Sequence, residues 1–318
     1  MHALHHIPTL QNIQETHVAI APMIHRTPVL TCAGIDDISG AKLFFKCENF
    51  QKVGAFKMRG ASSASIRLSE EARRNGIATH SSGNHAQAVA LSAKMLGIPA
   101  YVVMPQNAPA IKVAGVRSYG AEVIFCAPNI AARESTLESV VEHTGAYFIH
   151  PYNDYNIIAG QATAAKELIE DAPDLEAIIA PVGGGGLMSG TALVTRYLSP
   201  EMKVYGAEPK AVDDAWRSMQ SGKIEVNATT NTIADGLRTH LGEKTFEIIR
   251  KQVDDIFTVS EEEIVAAMRL VWERMKIIIE PSCAVPLAAV LKNPAVFSGK
   301  QVGIILSGGN VDLGELPF

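Results

Sequence analysis

Apolar, β-rich runs that end in Gly, Ser or Pro, each followed by a stretch of helical periodicity, recur along the chain, and no other feature restricts its folding so much. Strands that run parallel need a crossover between them. Strand, small-residue loop and helix in alternation therefore read as an α/β fold with open, mostly parallel sheets flanked by helices. The pattern predicts strands over 43–47, 77–80, 100–104, 122–125, 177–181, 204–207 and 302–306. Helices are expected over 84–96, 109–118, 129–143, 157–170, 187–197 and 261–276. No repeat, low-complexity tract or long polar linker separates two halves, so a second domain has to be woven into the first. The block from about 76 to 149 reads as four short strands with helices between them, a lobe inserted into a larger sheet.

With 318 residues, 47% of them hydrophobic and 19% charged, the chain has enough core to enclose a deep site. No apolar run approaches the roughly 20 residues of a bilayer helix. The opening MHALHHIPTLQNIQ lacks the basic stretch and apolar block of a secretory signal, so a cytoplasmic location and no membrane partner are expected. A formal charge of −5 without clustered Lys or Arg excludes a nucleic-acid backbone as the ligand. Cys32, Cys47, Cys126 and Cys283 have no metal-ligand or redox-pair spacing and read as small core residues.

After the apolar AIIAPV come Gly183, Gly184, Gly185, Gly186 and Leu187, then a helical segment. Glycines let successive amides turn toward one point, and a helix start adds its positive dipole end, so the loop reads as a phosphate cradle. A tight strand-to-helix turn is the plainer alternative, although a turn needs fewer glycines. The loop lacks the Lys-Ser/Thr of a P-loop, and a dinucleotide fingerprint fits it poorly.

Lys57, within GAFKMRGA, follows a strand and opens a helix. Taken alone it is an ordinary snorkelling lysine. Beside a pocket, desolvation and nearby cationic character would lower its pKa and make it a nucleophile. His80-Ser81-Ser82-Gly83-Asn84-His85 and Ser307-Gly308-Gly309-Asn310 are further strand-end loops, which read either as helix caps or as ligand-facing turns.

Taken together these segments resemble the fold type II, tryptophan-synthase-β-like family of pyridoxal-phosphate enzymes, close to its serine racemases and serine/threonine dehydratases. The resemblance runs from His25-Arg26-Thr27-Pro28-Val29-Leu30 to Ser307-Gly308-Gly309-Asn310-Val311-Asp312-Leu313. It implies two lobes, a large cofactor-binding domain over 1–67 and 152–318 and a small mobile domain over 76–149. Pyridoxal 5′-phosphate would be held by Lys57 as a Schiff base. Phe56 would pack on its ring, Asn84 would meet the 3′-oxygen, and Gly183, Gly184, Gly185, Gly186 and Leu187 would cradle the phosphate, with Gly236 nearby. Ser307 would face the pyridine nitrogen, where a hydroxyl cannot hold a proton as an aspartate would, so elimination or racemisation suits the site better than transamination.

The resemblance also implies that Lys57 moves the Cα proton on one face and Ser82 on the other. Ser81, Ser82, Asn84, His85 and Arg133 would bind the substrate carboxylate. Glu208, the Val212 carbonyl and Asp214 match a site for Mg²⁺, Ca²⁺ or Mn²⁺, a hard-oxygen donor set. Read bare, that acidic patch is a solvated loop. A homodimer is expected. Lys52, Tyr119 and Asn310 match a few positions of an ATP effector site, and no segment matches the regulatory extension of isoleucine-pathway dehydratases. The expected activity is conversion of small hydroxy amino acids, serine racemisation with L-serine/L-threonine dehydration. A threo-3-hydroxyaspartate dehydratase is the near rival, with His80, Arg133 and Arg238 as residues that would favour a second carboxylate. A non-catalytic phosphometabolite-binding regulator is the rival from another class.

Overall fold

Runs apolar on both faces belong in the middle of a parallel sheet covered by helices on each side. Ala177–Pro181 is buried at every position and Gln301–Leu306 at all but its first, and they lie side by side in the larger sheet. The computed structural model describes residues 1–318, apart from the side chain of Ile111. Its strands are β1 (Val29–Leu30), β2 (Lys42–Cys47), β3 (Ile77–His80), β4 (Ala100–Pro105) and β5 (Glu122–Cys126), followed by β6 (Tyr147–Phe148), β7 (Ala177–Pro181), β8 (Lys203–Pro209), β9 (Asp255–Val259) and β10 (Gln301–Leu306). A six-stranded sheet has the order β1-β2-β10-β7-β8-β9, parallel except for β1. A four-stranded, fully parallel sheet has the order β5-β4-β3-β6.

Alternate residues of the larger sheet point into two different cores. Phe45, Ile179 and Ile304 pack with the helices Glu261–Met275 and Pro281–Lys292 on one face. Ile178, Val204 and Ile305 pack with Tyr155–Asp171 and Gly186–Leu198 on the other. The short strands β1 and β6 and the edge strand β9 were not individually expected. The helices Leu10–Ile20 and Pro281–Lys292 were not expected either. In the latter, PSCAVPLAAVLK is apolar nearly all round, so no helical period shows, and Pro286 lies inside it.

Three helices stack closely behind the site. Lys57–Ile66 lies on Tyr155–Asp171, which lies on Gly186–Leu198. Glycine permits the approach: a Cβ on Gly160 would sit 2.4 Å from the Arg59 carbonyl oxygen, and one on Gly190 would sit 2.6 Å from the Ala162 nitrogen. Buried charges bind the stack. The Arg59 guanidinium donates to both oxygens of Glu48 and both of Glu167 at 2.7–2.8 Å, and Lys46 Nζ pairs with Glu167 at 2.7 Å. All four side chains are fully buried. No helix is long and apolar enough to cross a membrane.

Candidate active site

Because neighbouring strands run parallel, the loops that follow β2, β10 and β7 emerge on one edge of the larger sheet. After β7 the chain turns through Gly183 to Gly185 into Gly186–Leu198. Gly185 has φ +85°, the left-handed region, and a Cβ on Gly184 would lie 2.2 Å from the Tyr152 ring. Residues 183–188 are all buried, yet their amides have no acceptor among the described residues. Buried amides are nearly always paired. A group bearing several acceptor oxygens at this helix start fits them, which is what a phosphate supplies. Gly236 lies against this loop: its carbonyl oxygen is 3.0 Å from where a Cβ of Gly183 would be, and its amide donates to Ser282 Oγ at 3.0 Å.

The segment before Lys57 is clamped to the end of β10. Phe56 N donates to the Ser307 carbonyl at 3.0 Å, and Ala55 bridges to Gly308. Ser307 is buried. Lys57 opens its helix and its Nζ donates to the Pro151 carbonyl at 2.9 Å, 5.1 Å from the centre of the Phe56 ring. Burial pulls the Lys57 pKa down to about 8, against the opposing pull of Glu280. Desolvation thus does what the sequence assigned partly to neighbouring cationic character, and the charged neighbour is an acid. An amine so placed keeps a useful neutral, nucleophilic fraction near neutral pH.

Ser81, Ser82 and Gly83 join β3 to the helix Asn84–Leu96. Ser81 N donates to the Val103 carbonyl and Gly83 N to Ser81 Oγ. The amides of Ser82, Asn84, His85 and Ala86 have no acceptor among the described residues, and Ser82 is half-buried. This is a second helix start able to receive an anion, the size of a carboxylate. Asn84 Nδ2 donates to both Glu280 oxygens at 3.0 and 3.1 Å, and its Oδ1 accepts from Asn310 Nδ2 at 2.9 Å. Asn310 Nδ2 also donates to the Val53 carbonyl at 2.7 Å. Val53 adopts φ +58°, strained for a β-branched residue. His85 Nε2 lies 3.1 Å from the Ile149 carbonyl, and burial, with Lys57 nearby, drives its pKa well down.

Two parts of this cluster escaped the sequence reading. Glu280 is buried at the start of Pro281–Lys292, and its pKa is raised to about 7, first by burial and then by Asp235. A lone acid in the apolar run Ile277-Ile278-Ile279-Glu280-Pro281 was a usable signal, because a buried carboxyl has to be partnered. The turn His150-Pro151-Tyr152 touches both Lys57 and the glycine loop, and nothing local in the sequence marks it.

Other expected residues are less tightly drawn in. Arg133 is half-buried with its Nε buried and without a partner among the described residues; burial, and to a smaller degree Arg133, lowers the His80 pKa. Arg238 is exposed and donates to the Thr232 carbonyl. Tyr119 lies under Lys94, and Lys52 sits in the turn before Val53; of the residues matched to an effector site, Asn310 alone bonds within the cluster. Glu208 and Asp214 are fully buried. Glu208 accepts from the amides of Ala215 and Trp216, and Asp214 from Leu241 N and Asn227 Nδ2. Burial, then Asp214, pushes the Glu208 pKa well above the carboxylate range, and burial raises Asp214 to about 6. Two buried acids that repel each other suit a bound cation. Val212 is buried beside them, in the turn Lys210–Val212. Among the described residues no group of three or more His, Cys, Asp or Glu is placed to hold a metal, so backbone or water oxygens would have to complete the shell. Cys47, Cys126 and Cys283 are buried and Cys32 is partly so, all of them free thiols.

A desolvated lysine between two amide-lined helix starts, on a fold of two mostly parallel sheets, defines the class: the chain belongs to the pyridoxal-phosphate dependent enzymes, whose family pattern matches residues 20–308. Its relatives make the membership narrower. It is 48% identical to the beta-hydroxyaspartate dehydratase of Paracoccus denitrificans, over 98% of this chain and 99% of that protein. It is 50% identical to the serine racemase of Arabidopsis thaliana, over 96% and 94% of the two chains. The structure of maize serine racemase superposes with a TM-score of 0.95 at 47% identity, covering 97% of this chain and 95% of that one.

Proposed function

We propose that the chain converts small β-hydroxy amino acids, racemising serine and eliminating water from L-serine and L-threonine to give an α-keto acid and ammonia. The observation that carries this reading is the pairing of a lysine whose pKa is lowered to about 8 with free amides at two helix starts. Lys57 would hold pyridoxal phosphate covalently through Nζ, Gly183–Leu187 would take its phosphate, and Phe56, Asn84, Gly236 and Ser307 would surround the ring. When bound, the cofactor supplies the electron sink that acidifies the substrate Cα–H. The amides of Ser82, Asn84, His85 and Ala86 bind and orient the substrate carboxylate, and Arg133 adds a cation if residues 76–149 close over the cleft. Lys57 Nζ takes or returns the Cα proton on one face and Ser82 Oγ does so on the other.

Absorbance spectroscopy and a product assay test this together. The wild-type protein is expected to be yellow, borohydride should fix the chromophore on Lys57, and Lys57→Ala should be colourless. Ser82→Ala should lose interconversion of the serine enantiomers by about a hundredfold or more while keeping elimination from L-serine. A coloured Lys57→Ala protein would sink the cofactor assignment, and unimpaired racemisation in Ser82→Ala would sink the role of Ser82.

A second substrate, threo-3-hydroxyaspartate, is favoured by the Paracoccus relative and by the unpartnered Arg133 Nε beside His80. Ammonia release from L-serine, L-threonine and threo-3-hydroxyaspartate under equal conditions ranks the two readings. We further propose that Glu208, Asp214 and the Val212 carbonyl hold a divalent ion.

A further inference from the structure

β6 ends at Phe148, and residues 149–154 carry the chain from the smaller sheet to the helix Tyr155–Asp171. His150 stands at the first bend of this crossing. Its Nδ1 lies 3.2 Å from Tyr152 N and 2.9 Å from Asn153 N. Both partners are donors, so Nδ1 is an unprotonated acceptor and the neutral ring carries its proton on Nε2.

Three contacts run from this turn to the site. The Pro151 carbonyl accepts from Lys57 Nζ at 2.9 Å. The Tyr152 ring occupies the space over Gly184 and meets the His150 ring edge-on at 4.7 Å. Asn153 Oδ1 accepts from Lys244 N, next to Thr245, whose hydroxyl donates to the Gly184 carbonyl. The acceptor for the lysine and the wall of the phosphate cradle therefore belong to one turn, and that turn is closed by one imidazole nitrogen.

We propose that His150 is a positioning residue: by accepting the Tyr152 and Asn153 amides it sets the Pro151 carbonyl on Lys57 and the Tyr152 ring on the glycine loop together. The proposal rests on the reading that Lys57 holds the cofactor. The groups that face the ring suit a neutral acceptor. Burial, with His80, Lys57 and Lys244 nearby, pulls its pKa down to about 4, and Phe148 and Tyr152 offer it no charge to pair with. A protonated Nδ1 would confront two N–H groups, so the turn is stable only with the ring neutral.

The test compares wild-type holoenzyme with His150→Asn and His150→Leu. Asparagine can offer Oδ1 near the place of Nδ1, whereas leucine offers no acceptor. Cofactor release during dialysis is followed by the absorbance of the Lys57-bound chromophore, alongside the thermal midpoint. Loss of both bonds in His150→Leu is expected to speed release about tenfold, and His150→Asn should stay within about twofold of wild type. A His150→Leu protein that melts near the wild-type temperature and retains the cofactor equally well overturns the proposal. So does a His150→Asn protein that releases it as fast as the leucine variant. Should His150→Leu fail to fold, ¹⁵N-histidine NMR of the wild type decides: the ring must stay in the Nε2–H form between about pH 5 and 8, and a protonated Nδ1 in that window is fatal. Colour surviving in Lys57→Ala would instead defeat the reading beneath the proposal, which separates the two failures.

Discussion

Glu280 is a buried carboxyl whose charge state is set by opposing neighbours. Burial and Asp235 favour its neutral form, while Asn84 Nδ2, the Asn310 amide and Lys112 favour the charged one, and the balance sits at about 7. The unfolded chain releases this proton near the ordinary glutamate value of about 4.3. Between those two values the folded state binds more protons, so stability falls as pH rises from about 4.3 to 7 and levels off above. Glu280→Gln keeps an acceptor for Asn84 and removes the titration. Its stability relative to wild type should rise across that window, reaching an advantage on the order of 3–4 kcal/mol above pH 7. A difference between the two proteins that does not change with pH would contradict this. Glu280 also shows why part of the site was hidden in the sequence. Lys57, the glycine loop and the Ser82–Asn84 turn announce themselves through local residue patterns. Asn84 and Glu280, by contrast, are 196 residues apart, and Lys57 and Pro151 are 94 apart, so those pairings exist only after folding.

At the scale of elements, the expected strands lie within one or two residues of the observed ones, because fully buried parallel strands make continuous apolar runs that end in small residues. What the pattern could not carry was the intimacy of the helix stack beneath Lys57. At Gly160 the obstacle to a side chain is backbone, the Arg59 carbonyl and the Gly60 Cα, so neither can rotate away. Gly160→Ala must push Lys57–Ile66 off Tyr155–Asp171 and should destabilise the protein by about 1–3 kcal/mol, read from chemical denaturation. A neutral result would mean that the two helices separate freely. The buried charges in the same stack respond differently. Arg59→Met leaves Glu48 and Glu167 facing each other with Lys46 as the remaining close cation, and should cost about 3–5 kcal/mol, because an uncompensated buried charge is left behind. Pairing Arg59→Met with Glu48→Leu should recover part of that loss, since removing both partners also removes their desolvation cost. A double variant no more stable than Arg59→Met would refute the charge argument.

For the whole molecule, the ion site proposed at Glu208 and Asp214 matters through what it supports. Asp214 accepts from Leu241 N, and the Leu241 side chain would come within 2.8 Å of a Cβ on Gly185, so the acid lies behind the glycine loop. Burial, and after it the charge of Asp214, raises the phenol pKa of Tyr152, the ring over Gly184. Without a cation, two buried carboxyls repel and drift toward their protonated forms. An ion that binds only the folded chain stabilises it by mass action, about 2.7 kcal/mol at a hundredfold excess over its dissociation constant. Thorough chelation should therefore lower the thermal midpoint and quicken cofactor loss together, and either Mg²⁺ or Ca²⁺ added back should restore both. Glu208→Gln with Asp214→Asn removes the charge repulsion and the ligands at once, so its midpoint should no longer respond to chelator or ion. A wild-type midpoint unmoved by chelation would remove the ion from the account, and a response that persists in the double variant would place it elsewhere in the chain.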